Sequence, residues 1–147
     1  CSQSRGLGDV YKRQVISGWR REVEEIRKEL ISAKKRGIEN TIFSFTKMDD
    51  KLGKIVSYEL SESDLRKIWT PKIIMIVDNQ HTIMGSTKKT EDCKAILTKN
   101  TAINEIATNH IILDITLAGR RLGFESDSYV KNIMRDPAEN LQHLLNV

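Results

Sequence analysis

Cysteine is almost absent from this chain of 147 residues, which has only Cys1 and Cys93. Two thiols exclude a disulfide framework, and a reducing cytoplasm is the expected setting. No apolar run approaches the ~20 residues that a membrane-spanning helix needs. Charge of one sign is not in large excess: the formal net charge is +4. Arg5, Lys12 and Arg13 against Asp9 place +2 of that in the first 14 residues, leaving +2 spread over the rest. That distribution is no nucleic-acid footprint. His81, His110 and His143 lack metal-ligand spacing and Cys93 stands alone, so neither a metal nor a cofactor is expected. There is no phosphate loop, nucleophile elbow or dinucleotide fingerprint. Internal repeats, low-complexity tracts and domain linkers are missing after residue 15.

What is present describes one globular domain. Apolar residues make up 39% and charged residues 30% of a chain long enough to bury a core without staples. The first 14 residues stand apart. Ser4–Gln14 (S-R-G-L-G-D-V-Y-K-R-Q) has no helical or strand periodicity and resembles the conceptual translation of a sequencing adapter. Residues 1–14 are therefore read as a non-native tail, the other reading being a native flexible arm, and 15–147 as the domain.

Val15-Ile16-Ser17 reads as the end of a strand, with Ser17 or Gly18 capping the helix that follows. Trp19, Val23, Ile26, Leu30 and Ala33 form an apolar stripe, and Glu22, Glu25, Lys28, Glu29 and Arg36 a charged outer face. Lys34-Lys35-Arg36 suits the end of that helix, and Gly37 its left-handed cap. The basic cluster reads first as a solvated helix end and second as a phosphate contact. Thr41–Thr46 and Ile55–Leu60 are the next strands, separated by a Met48–Lys54 loop holding Asp49, Asp50 and Gly53. Ser61-Glu62-Ser63-Asp64 has capping-box spacing for a short helix over Glu62–Ile68, which Pro71 stops.

The centre of the pattern is Lys72–Thr87. Ile73–Val77 is apolar throughout, as in a strand buried on both faces, and Asp78-Asn79-Gln80-His81 is a turn into a second strand. After a polar loop over Lys88–Asp92, Cys93–Leu97 reads as a strand. Asn100 then caps the longest helix, whose apolar stripe is Ile103, Ile106, His110, Leu113 and Leu117, spaced 3, 4, 3, 4. Gly119 or Gly123 ends it. Asp136-Pro137-Ala138-Glu139 opens a last helix with Leu141, Leu144 and Leu145 on one side. His110 reads as a hydrogen-bonded core or interface residue before it reads as a ligand, with Asp114 within reach one turn on. Trp19 and Trp69 are core residues or, second, pocket walls.

Around the hairpin the sequence resembles the phospholipase D superfamily, whose signature is His-x-Lys, four residues, Asp, six residues, Gly-Ser. Asp78, Gly85 and Ser86 match, but the nucleophilic His falls on Pro71 and the Lys on Ile73. Lys72 is one residue out of register, which on a strand means the opposite face. Proline offers no nucleophile and isoleucine no charge for phosphoryl oxygens, so no catalytic residue is expected. Ser17–Trp19, Ala33–Ile38, Lys72–Ser86 and Leu97–Ile115, taken in order, resemble the C-terminal regulatory domain of TrmB-type transcriptional regulators. That resemblance covers roughly 15–118. It implies a phospholipase D-like domain without catalytic residues, preceded by a winged helix-turn-helix.

The expected fold is α/β, a mixed sheet of five or six strands flanked by helices, truncated at its first strand. The expected function is a cytoplasmic, non-catalytic effector-sensing or dimerisation domain of a DNA-binding regulator. Its partners would be a second copy, a small-molecule effector, and DNA only through an upstream domain. The alternatives are a diverged phosphodiesterase or nuclease half and a purely structural dimerisation module. A ligand would lie at the carboxyl ends of the parallel strands, with Ser17, Ser86, Thr98, Asn100 and Lys72 as lining candidates.

Overall fold

The computed structural model describes residues 12–48, 51–87 and 94–133. The elements run β1 (Arg13–Gly18), α1 (Arg20–Glu25), α2 (Arg27–Lys35), β2 (Glu39–Ser44), β3 (Lys54–Ser57), α3 (Glu62–Ile68), β4 (Lys72–Val77), β5 (His81–Ser86), β6 (Ala95–Thr98), α4 (Thr101–Leu122) and α5 (Asp127–Val130). The fold is α/β. One six-stranded mixed sheet has the order β3-β2-β1-β4-β5-β6. β1, β2 and β3 are mutually parallel, while β4 joins β1 antiparallel and β4, β5 and β6 continue antiparallel.

Alternation along the strands builds two cores. Val15, Phe43, Val56 and Ile76 face α4, where they meet Ala107, Ile111, Ile115 and Ala118. Ile16 and Ile42 face the other way and pack with Val23, Leu30 and Leu52 under α1 and α2. The two ends of the hairpin are well specified locally. Asp78 and Asn79 both have positive φ, and the Gln80 amide donates to the Val77 carbonyl at 3.0 Å. At the far end a Cβ on Gly85 would stand 2.8 Å from the Ala95 Cβ, so only glycine lets β6 pair there.

Several expectations are corrected. β1 begins at Arg13, and Arg13 and Gln14 pair with Glu39 and Asn40. Two residues set aside as tail thus belong to the sheet, because a ladder uses main-chain groups whatever the side chains. The helix after β1 is broken at Ile26, whose amide turns back to the Val23 carbonyl at 3.3 Å. Its N-cap is Trp19, and Ser17 lies within the strand instead of capping. Trp19 also leaves the stripe, joining the α4 core while Val23 and Leu30 join the other. β2 and β3 sit slightly earlier than their sequence signals, and β6 starts at Ala95.

β4 is central, as its composition requires, yet of its six residues only Ile76 is fully buried. α1 and α2 lie over β1 and β2, and Ile73 and Met75 of β4 reach that core but stay partly buried. The long helix is corrected more sharply. Its buried residues are Asn104, Ala107, Ile111, Ile115, Ala118 and Gly119. Of the expected stripe, Ile106 is 70% exposed, Leu113 64% and Leu117 55%. α4 carries two apolar arcs, and the one with small residues lets its axis approach the sheet. Asn100 caps it and Gly123, with φ 76°, ends it. α3 has its expected bounds and cap, Ser61 Oγ accepting from the Asp64 amide. Residues 1–11, Asp49, Asp50, the Lys88–Asp92 loop, Cys93, His143 and the helix from Asp136 lie outside the described residues.

Candidate functional site

The carboxyl ends of β1, β2 and β3 meet the start of β4 and the end of β5 at one edge of the sheet. Lys72 pairs with Ser86, Ile73 with Gly85, and Ser17 with Ile74, so three of the five lining candidates gather here. The other two do not. Thr98 pairs with Thr82 at the hairpin end of β5, four residues and roughly 14 Å from Ser86 by strand rise. Thr98 Oγ1 accepts from the Asn100 amide and Asn100 Oδ1 from the Ile103 amide, so both are occupied in starting α4. Ser17 is 3% exposed and lines no open surface.

The loop leaving β2 consumes its own polar groups. The Thr46 carbonyl accepts from Ser44 Oγ and from Ser57 Oγ, the latter at 3.1 Å. Thr46 Oγ1 accepts from the Arg20 amide at 3.0 Å, capping α1 from 26 residues away. No local sequence pattern signals such a cap. Beside this loop the rings of Phe43 and Phe45 meet edge-on at 5.0 Å, and Trp69 lies 5.1 Å from Phe45. Lys72 Nζ stands 4.9 Å over the Trp69 ring, and the Arg121 guanidinium 4.7 Å over Tyr58. Such contacts contribute ~0.5–1 kcal/mol each at exposed sites. The rim therefore offers positive charge backed by aromatic rings. Trp69 is the tryptophan at this surface; Trp19 is core.

Glu22 overturns its placement on the outer face of a helix. It is buried at 4% exposure in the first turn of α1. Its Oε1 accepts from Thr87 Oγ1 at 2.8 Å and from Arg21 Nε and Nη2 at 3.0 and 2.8 Å. Its Oε2 is buried without a hydrogen-bond partner. The only sequence signal was the adjacent Arg21, which is not specific.

The residues matching the phospholipase D signature are spread along β4. Pro71 gives its carbonyl to the Thr87 amide at 3.0 Å, and Ile73 packs against the α1–α2 core. Asp78 is at the opposite end, seven residues and roughly 20 Å from Pro71. There Asp78 Oδ1 accepts from the Lys12 and Arg13 amides at 2.8 and 2.9 Å, and its own amide donates to the Arg13 carbonyl. Its carboxylate staples the start of β1 to the hairpin.

His110 and Asp114 do meet on α4, with Nε2 3.3 Å from Oδ2. The contact is a charge proximity, since Oδ2 makes no well-directed hydrogen bond. Burial pushes the Asp114 carboxyl up from its ordinary value, and the nearby imidazole pulls it back down. Asp64 is the opposite case, held low by the Ser61 hydroxyl first and by Lys67 second. Among the described residues no three His, Cys, Asp or Glu side chains come together to hold a metal, and no helix is long and apolar enough to cross a membrane. Compared with known proteins, the chain matches no family model and no curated protein.

Proposed function

We propose that this chain is a non-catalytic effector-sensing or dimerisation domain of a cytoplasmic, DNA-binding transcriptional regulator, phospholipase D-like in ancestry. The observation that carries the reading is the fate of the signature positions. Where the superfamily places a nucleophile there is a proline whose carbonyl is engaged in the sheet, and where it places a phosphate-binding lysine there is a buried-facing isoleucine. The surviving Asp78 is spent on two main-chain amides, a structural role that requires no substrate. Effector sensing, as against dimerisation alone, is favoured by Glu22. A buried carboxylate oxygen without a partner is costly, and a donor from a small molecule would satisfy it. The rim of Lys72 and Trp69 near the same edge would suit an anionic or aromatic part of that molecule.

The test is an assay of the purified protein with a generic aryl phosphodiester. The expected result is no turnover above background. Hydrolysis that is lost in Asp78→Ala, with the fold intact, would overturn the reading in favour of a diverged phosphodiesterase.

A further inference from the structure

We propose that the exposed stripe of α4 is a seam for a second copy of this chain, the two helices packing antiparallel about a two-fold axis near His110. Ile103, Ile106, His110, Leu113 and Leu117 recur every 3 or 4 residues over two heptads, the spacing that keeps one seam facing a partner helix. This seam is separate from the face that binds the sheet, which is Asn104, Ala107, Ile111, Ile115 and Ala118. Ile106, Leu113 and Leu117 are 70%, 64% and 55% exposed. Their uncovered side chains amount to on the order of 400 Å², the size of the largest apolar patch on a monomer, which is often functional. With their flanks drawn in, two such faces approach the roughly 1,200 Å² at which stable interfaces begin.

The flanks specify the partner and its direction. Ala102, Asn109 and Thr116 border one side with small, uncharged groups that permit close approach. Arg120 and Arg121 are exposed at the carboxyl end only. Parallel packing would set these cations side by side, whereas antiparallel packing moves them to opposite ends and also opposes the helix dipoles. An isologous contact follows, because the same stripe serves both copies. The described chain itself ends away from the seam. At 100° per residue, Gly119 and Ile112 lie on one flank of the buried arc, and there Gly119 abuts Phe124 and Ser126 at the turn into α5. The stripe is on the other flank, so Val130 and Ile133 lead off from the far side.

This seam deepens the dimerisation reading above and rests on it only for the presence of a second copy. Sedimentation equilibrium of the whole reduced chain across the micromolar range should give a dimer. Leu113→Asp should shift the monomer–dimer equilibrium at least about a hundredfold toward monomer, with an unchanged far-UV circular dichroism spectrum. Ile68→Asp, at an 80% exposed isoleucine off the stripe, should leave the dimer as it is. In a Cys1→Ser, Cys93→Ser background, Ile106→Cys with Leu117→Cys should oxidise to a covalent dimer, and Ile106→Cys alone should not. A wild-type monomer, or a dimer indifferent to Leu113→Asp, would overturn the seam. So would a monomer in which Leu113→Asp lowers the unfolding midpoint, the outcome if residues 134–147 cover the stripe. Crosslinking by Ile106→Cys alone would overturn the antiparallel direction. A monomer without phosphodiesterase activity removes the seam and leaves the non-catalytic reading; an active dimer does the reverse.

Discussion

Asp78 is a side chain whose work is local. It holds a left-handed backbone with φ 49° and receives two amides at the start of β1. Asp78→Ala should cost about 1–2 kcal/mol, from two lost charge-assisted bonds and a Cβ without a compensating side chain. Asp78→Gly keeps the first loss but relieves the backbone, and should cost less by urea denaturation. Asp114 responds to pH in the opposite sense to a staple. Burial raises its folded-state pKa, so the native protein holds its proton more tightly than the unfolded chain. Stability from this group therefore falls as pH rises from the ordinary carboxylate value through the raised one. Asp114→Asn should melt higher than wild type at neutral pH, and the gap should close in acid. A gap that widens as pH falls would contradict the assignment of burial as the dominant cause.

The elements are joined by contacts from distant chain. α1 has no side-chain cap of its own and borrows Thr46 Oγ1 for the Arg20 amide. Thr46→Val keeps the shape but leaves that amide unpaired, and should lower stability by ~1 kcal/mol while sparing the sheet. α4 is pinned at its first turns by Asn104, whose Nδ2 donates to Thr82 Oγ1 at 2.9 Å in the buried layer. Asn104→Leu should destabilise more than Thr46→Val, because it strands the Thr82 hydroxyl and overfills a site built for an amide. Thermal melts of the two variants side by side would check the order.

At the scale of the molecule the basic stretch near the start has two parts. Lys12 and Arg13 donate amides to Asp78, and Arg13 Nη1 reaches the Asn132 carbonyl at 2.8 Å. Removing residues 1–11 leaves every one of these contacts, whereas removing 1–14 takes two rungs from the β1–β2 ladder and one from the β1–β4 ladder and empties the Asp78 clamp. The longer deletion should unfold at markedly lower denaturant, the shorter near wild type. Neither should bind duplex DNA sequence-selectively, because net charge is only +4 over residues 12–147 and +2 over 15–147, and among the described residues no helix presents a basic face. Titration of labelled duplex at near-physiological salt checks this; residual binding should be weak and steeply salt-dependent.

The sequence by itself determined what is local. Short continuous apolar runs marked β4 and β5, Asp78-Asn79 the turn, and Ser61 and Asn100 the caps, while of the two glycines offered as the stop of α4 the structure uses Gly123. The strand–helix–strand order likewise determined the α/β class and its parallel half. Tertiary structure decided which of two apolar arcs on α4 enters the core: Ala107, Ile111, Ile115 and Ala118 pack with the strand side chains, and Ile106, Leu113 and Leu117 stay exposed. It decided that Trp19 and Val23 part to opposite faces, and that Glu22 is buried while Leu113 is not. It also separated the candidate ligand residues, sending Ser86 and Lys72 to one end of the sheet and Thr98 and Asn100 to the other. Periodicity records that a face is apolar, but only the neighbours brought in by the fold record what covers it.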